Sequence, residues 1–266
     1  MKWGKITHRV AREQKNKRLA FLYKLTYNSV KNTGLIPGNF DWRHSVSTVF
    51  IDRDGVINAN RADYVKSWNE FQFLPGSREA IAKLTRAGHR VVVCTNQACV
   101  AKGIISMAMV EYIHNKMIAE IAEMGGVVEK VYYCPHAKEA NCDCRKPRPG
   151  MLLKARDELR LEMTGAVFIG DSITDIQAGF AAGVHTILVL SGLGLEQFRA
   201  HHQEAESPFR ISMNLEHAVE MILKGSHVHT GVQTSLERHC YSLLDVPENL
   251  DVWAPLHRRL ALVSGS

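Results

Sequence analysis

A chain of 266 residues that is 45% hydrophobic and 23% charged has the composition of a folded globular protein, and it is long enough for one large α/β domain with appendages. Its net charge of +6 is uneven: residues 1–32 carry nine Lys/Arg against the single acid Glu13, a local +8 that leaves −2 for the rest. The main domain therefore lacks the basic surface of a nucleic-acid binder. No apolar run approaches the roughly 18–20 residues of a membrane span, and the patch at 19–25, broken by Lys24, is too short for a secretory leader. A cytoplasmic protein is expected.

In chain order, residues 1–44 read as a basic extension that could pack Leu19, Leu22 and Leu25 on a neighbour. It ends in a Gly/Pro-rich linker at 33–39. The main domain is expected at 45–226. A β-rich run at 48–52 carries Asp52 and Asp54 at its exit, and Gly55 turns the chain away. Strand side chains alternate, so both carboxylates point the same way. A polar excursion occupies 56–75. A helix at 77–88 (Ala80, Ile81, Leu84) precedes the buried-type strand 91–96, which ends in Thr95 and Asn96. Ser106 caps a helix at 106–124 with apolar residues at Val110, Ile113, Met117, Ile118 and Ile121. Strand 130–134, helix 150–160, strand 167–169 running into Gly170-Asp171, helix 173–182 and strand 185–190 follow. A short strand near 208–212 and a helix at 215–224 close the domain. The alternation predicts a doubly wound parallel sheet with helices on both faces. Residues 227–266, with Trp253, Pro255 and Leu256, read as a docking tail with no assigned function.

Three strand ends thus supply polar groups to one side of the sheet: Asp52 with Asp54, Thr95 with Asn96, and Asp171. Carboxylates gathered at such a crevice suit Mg²⁺, which binds one or two carboxylates and a substrate phosphate. Asp171 is the expected ligand, with Asp175 orienting a neighbour. Residues 134–146 form a second cluster. Cys134-x-His136, five residues, then Cys142-x-Cys144 offers three thiolates and an imidazole, the donor set of a closed structural Zn²⁺ site. That site would hold Arg145 and Lys146, two cations able to neutralise a phosphate.

In series, Phe-Ile-Asp52-Arg-Asp54-Gly-Val-Ile-Asn, Thr95-Asn-Gln, Cys134-Pro-His…Cys142-Asp-Cys-Arg-Lys-Pro and Gly170-Asp171 resemble the haloacid dehalogenase superfamily of phosphatases. The likeness covers about residues 48–190. It is narrower still to the zinc-loop branch, which holds the D-glycero-D-manno-heptose 1,7-bisphosphate and histidinol-phosphate phosphatases. The resemblance implies a Rossmann-like α/β fold without a large cap domain and with a zinc-stapled loop. It also implies a Mg²⁺-dependent phosphomonoesterase that acts on a small phosphorylated substrate; a monomer is expected. On this likeness Asp52 is the nucleophile, and Asp54 passes protons and must begin protonated, which burial and the negative charge of its neighbour would favour. Mg²⁺ lies on the Asp52 and Asp171 carboxylates and the Asp54 main-chain carbonyl, while Thr95 and Lys146 steady the phosphoryl group. Substrate contacts are implied at Asn60, Asp63, Tyr64, Asn96, Gln97, Ala98, Arg145 and Ser172, in addition to Thr95 and Lys146. Asp63-Tyr64-Val65 and the segment Ala98 to Lys102 favour a heptose bisphosphate over histidinol phosphate. Cys99, Lys102 and Ser172 depart from the family's Gly, Arg and Lys, and the excursion at 56–65 is one residue longer. The alternative to an enzyme is an idle relative that binds partners through its basic extension, against which stands the complete set Asp52, Asp54, Lys146 and Asp171.

Overall fold

A computed structural model describes residues 48–201 and 209–224. The basic extension, the linker and the tail lie outside the described residues. Six parallel strands form one sheet: β1 (Thr48–Ile51), β2 (Arg90–Asn96), β3 (Lys130–Cys134), β4 (Val167–Gly170), β5 (His185–Val189) and β6 (Arg210–Ser212). Their spatial order is β3-β2-β1-β4-β5-β6. The chain first winds outward from β1 to β3, then returns to lay β4 against the other side of β1. That reversal opens a crevice at the carboxyl ends of β1 and β4, where open α/β sheets bind their ligands. Register brings the strand ends level, since Ile51 pairs with Val93 on one side and Ile169 on the other.

The helices are α1 (Ser77–Arg86), α2 (Met107–Glu123), α3 (Gly150–Leu159), α4 (Ile173–Ala181), α5 (Gly194–His201) and α6 (Leu215–Lys224). Five match the expected helices to within two residues at each end. α5 went unread because Gly194-Leu-Glu-Gln-Phe shows little apolar periodicity. Short 3₁₀ turns at Trp68–Glu70 and Lys138–Ala140 lie in the excursion and the cysteine loop. Ser106 does cap α2, its hydroxyl accepting from the Met109 amide at 3.2 Å. The buried face of α2 is Val110, Ile113, His114, Met117 and Ile121, so a histidine takes a core position and Ile118 is only half-buried.

Strand alternation divides the core. Phe50, Val92, Cys94 and Phe168 face α3 and α4, meeting Met151, Leu152, Ala155 and Ala178. Phe50 and Phe168 meet edge to face, with centroids 6.4 Å apart. Val49, Ile51, Val91 and Val93 are equally buried and point the other way, the side on which α1 packs with β2, α2 and α6. The sheet is apolar on both faces, as a parallel sheet covered by helices requires. Among the described residues no helix is long and apolar enough to cross a membrane.

Two histidines are held neutral within this fold. Burial, reinforced by nearby Arg53, lowers His114 to about 3; burial and then Arg210 lower His185 to about 4. A histidine whose folded pKa lies below its unfolded value of about 6.5 adds stability above that pH and loses it as the pH falls toward the folded value. The loss of urea midpoint between pH 7 and 4.5 is therefore expected to be smaller in His185→Gln than in the parent chain, as read by denaturation at several pH values.

Candidate active site

The crevice is built around one buried ammonium. Lys146, 3% exposed, places Nζ 2.8 Å from Asp52 Oδ1 and 2.6 Å from Asp175 Oδ1. It also donates to the Cys94 carbonyl at 3.1 Å and lies over the Phe168 ring at 5.6 Å. Burial would strip its proton, but the charges of Asp175 and Asp52 outweigh that and hold its pKa above the usual lysine value. Asp52 arrives from β1, its amide bonded to the Ile169 carbonyl, and its Oδ1 accepts from the Arg53 amide at 2.7 Å. Burial pushes Asp52 up to about 7, against the pull of Lys146 and with further push from Asp175 and Asp54.

Asp171 leaves β4 beside it, 4% exposed, with Oδ2 accepting from the Leu193 amide at 2.8 Å. Burial, and then the charges of Asp52 and Asp175, raise it well above the carboxylate range. Carboxylate oxygens of Asp52, Asp171 and Asp175 lie within 4.8 Å of one another. Three acids facing one lysine leave a surplus of negative charge in a dry site, and hard oxygen donors at this spacing fit Mg²⁺. Asp175 also accepts from the Ser172 amide at 3.0 Å, which ties the start of α4 to the cluster.

Asp54 is in a different environment from the one expected. Arg53, 1% exposed, curls back so that Nη2 reaches both Asp54 carboxylate oxygens at 2.8 Å. Asn58 Nδ2 and Gln97 Nε2 donate to the same carboxylate at 2.9 and 2.7 Å. Burial by itself would raise Asp54, but Arg53's charge and these hydrogen bonds hold it below the usual range. In the free protein, then, the surroundings of Asp54 favour its ionised form, where a carboxyl that begins protonated was expected. The reason is Arg53, to which no role was assigned in the sequence. Lying between two aspartates, it reads as a solvated turn residue.

The other expected residues separate into groups. Thr95, 1% exposed, and Gln97 lie inside the site, with Gln97 Nε2 donating to Thr95 Oγ1 at 2.9 Å. Gln97's amide is thereby engaged by Asp54, Thr95 and Arg53. Asn96 uses both ends of its amide on the Lys146 main chain, accepting from its N–H at 3.1 Å and donating to its carbonyl at 3.2 Å. Ala98 is buried, and the Ser172 hydroxyl caps α4. Arg145 donates to the His136 carbonyl. Asn60 is exposed. Asp63 is ion-paired with Arg61 and Lys66 inside its own loop. Tyr64 adopts a left-handed φ of 64°, and its hydroxyl accepts from Lys102 Nζ at 2.8 Å.

Cys134, His136, Cys142 and Cys144 do converge. Cys134 and Cys142 sulfurs are 3.6 Å apart and those of Cys142 and Cys144 3.3 Å. His136 Nδ1 lies 3.6 Å from the Cys134 sulfur and 3.2 Å from that of Cys144. A disulfide needs about 2.05 Å. Ligands at about 2.3 Å around one Zn²⁺ stand about 3.8 Å apart along the tetrahedron edge, close to what is seen. The loop carrying them runs directly into Lys146.

The element with no sequence signal is the turn after β5. Ser191 Oγ donates to the Gly55 carbonyl at 2.8 Å, while Gly192 (φ +59°) faces Gly55 (φ +82°). A Cβ on Gly192 would fall 2.2 Å from Asp171 Oδ2 and 2.5 Å from the Gly55 Cα. Two distant glycines let the turn close on the metal-type cluster.

A HAD-hydrolase-like family model matches residues 143–218. The D-glycero-β-D-manno-heptose-1,7-bisphosphate 7-phosphatase of Pseudomonas aeruginosa is 42% identical over 151 residues, 57% of this chain and 85% of that protein. Among solved structures, the D,D-heptose 1,7-bisphosphate phosphatase of B. bronchiseptica, complexed with magnesium and phosphate, superposes with a TM-score of 0.64 at 37% identity, covering 68% of this chain and 99% of that one. Its counterpart from Burkholderia thailandensis gives 0.53 at 33% identity, covering 66% and 98%.

Gly192→Ala should destabilise the protein more than Gly183→Ala. Gly183 shares the positive φ (+75°) but has nothing within 4 Å of an added Cβ. The control carries only the left-handed penalty of about 1–2 kcal/mol, and the excess at Gly192, read by urea denaturation, measures the clash with Asp171.

Proposed function

We propose that this chain, which belongs to the haloacid dehalogenase-like phosphatases and within them to the D-glycero-β-D-manno-heptose-1,7-bisphosphate 7-phosphatase family, is a Mg²⁺-dependent phosphomonoesterase. Its substrate is a heptose 1,7-bisphosphate, from which it removes the 7-phosphate. The observation that carries the reading is the buried Lys146 shared by Asp52 and Asp175 beside Asp171. It joins a carboxylate nucleophile, a fixed cation and a hard-metal donor set in one crevice. That the B. bronchiseptica relative is complexed with magnesium and phosphate supports the same reading.

Asp52 attacks phosphorus, the sugar oxygen departs, and an aspartyl-phosphate remains for water to hydrolyse, which divides one hard step into two easier ones. Asp52 and Asp171 would hold Mg²⁺ with the Asp54 main-chain carbonyl. Mg²⁺ supplies positive charge to the phosphoryl oxygens when bound. Lys146 and Thr95 face the same oxygens and need no reorganisation, because their own bonds already fix them. Asp54 is ionised in the free protein, the form that takes a proton from the attacking water. For the first half-reaction it must take up a proton, and the negative charge of an arriving phosphate raises its affinity for one. The sugar oxygen leaves with that proton.

Zn²⁺ is assigned to Cys134, His136, Cys142 and Cys144 as a structural ion, because four protein ligands leave no open position. The likeness of the Asp63-Tyr64-Val65 loop to that of the heptose bisphosphatases, with Tyr64 bonded to Lys102, supports a sugar phosphate as the substrate.

Phosphate release is expected from the heptose bisphosphate with Mg²⁺, to vanish in Asp52→Asn, and to be weak with histidinol phosphate. Turnover of histidinol phosphate without turnover of the sugar would remove the substrate assignment. Metal analysis of freshly purified protein should find zinc. Its removal by a chelator, followed by repletion with Mg²⁺ alone, should leave the loop around residues 134–146 sensitive to protease and lower kcat. Added zinc should reverse both.

A further inference from the structure

The Asp54 carboxylate is aimed by a guanidinium, and that guanidinium is itself aimed from the far side. Arg53 spends Nε and Nη2 on Asp54 and Gln97. Its remaining nitrogen, Nη1, lies 3.0 Å from Nε2 of His114. His114 comes from α2, sixty-one residues on, and is 4% exposed. An arginine can only donate, so Nε2 must accept and the ring must be neutral with its proton on Nδ1. The lowered pKa of His114, to about 3, agrees with this. The ring is held in turn: it meets Tyr133 edge to face at 5.4 Å, and the Tyr133 hydroxyl donates to Glu111, one turn earlier on α2, at 3.0 Å.

We infer that His114 is a positioning residue: acting through Arg53, it fixes the direction of the Asp54 carboxylate and so governs proton transfer rather than substrate affinity. The inference rests on Asp54 being the proton shuttle. It follows from geometry. A guanidinium bound on one edge alone can rotate with its partner, whereas one bound at both ends of its fork is locked in plane and angle. Small errors in the angle of a proton-transferring group are costly to the rate, since the reacting atoms must lie within hydrogen-bond reach.

The test uses the full chain with Mg²⁺, comparing His114→Leu, which fills the space without an acceptor, with His114→Gln, which restores one. In His114→Leu, kcat for an alkyl phosphate monoester should fall about tenfold or more, with KM changed by less than about twofold. The burst of dinitrophenolate from 2,4-dinitrophenyl phosphate, whose leaving group needs no proton, should keep its rate. His114→Gln should recover alkyl-phosphate turnover to within about threefold of the parent chain. Should the leucine variant not fold, His114→Asn, too short to reach Arg53, takes its place. Equal losses on both substrates, losses confined to KM or to the urea midpoint, or a glutamine variant as slow as leucine would each overturn the inference. An Asp52→Asn control that stays active would instead overturn the phosphatase reading. A wrong choice of sugar leaves this test intact.

Discussion

One buried ammonium organises the site. Lys146 stands between Asp52 and Asp175 with almost no water to screen it, so each member of the cluster is tolerable only because the others are present. Removing one partner of such a buried group strands a charge at a cost of several kcal/mol. The constraint reaches outward through the backbone. Lys146's main chain is clipped to Asn96 at the end of β2, its head meets the Cys94 carbonyl, and its stem enters from the cysteine loop. Four strand ends and two loops must therefore arrive together, and the switch point between β1 and β4 is where they can.

Asp52 and Asp54 lie two residues apart on one turn, yet their surroundings drive them in opposite directions. Asp52 is dry, shares its lysine with Asp175, and is raised to about 7. Asp54 faces a guanidinium that it need not share with a second acid, and it is held low. A lysine shared with a second acid at Asp52 and an unshared guanidinium at Asp54 thus give two neighbouring carboxylates different surroundings in one crevice. The glycine pair 55 and 192 shapes the other side of the cluster. By letting the β5 turn press against Asp171, it supplies the Leu193 amide that turns this third acid toward the cluster.

Much of this was legible along the chain. Val91-Val-Val-Cys, Val167-Phe-Ile and their neighbours are apolar without alternation because both faces of the sheet are covered, and the strand assignments follow from that. Asp52, Asp171 and the four zinc-type ligands stand out because like charges or thiols at short spacing have few bland explanations. Arg53, His114, Asn58 and the turn at Ser191–Leu193 could not be read this way. Each is an ordinary residue type at an ordinary spacing, and its importance lies in a partner that is distant in sequence. His114 even occupies an apolar stripe, where it reads as a filler. Asn96 and Gln97 show the converse: their motif marks them as functional, but nothing local tells that their amides are committed to Lys146 and to Asp54.

Residue order by itself determined the fold class and the inventory of chemistry, because burial periodicity and donor spacing are local properties of a chain, and its series of motifs carried the family resemblance. Only the tertiary structure decided how the surroundings of the two carboxylates differ. That depends on which cation each acid meets, and Lys146 and Arg53 reach theirs through the crossing of β4 beside β1 and through a guanidinium that folds back on its own turn. The opening pair of aspartates and their separate roles were expected from the motif; the cation that each one meets was not.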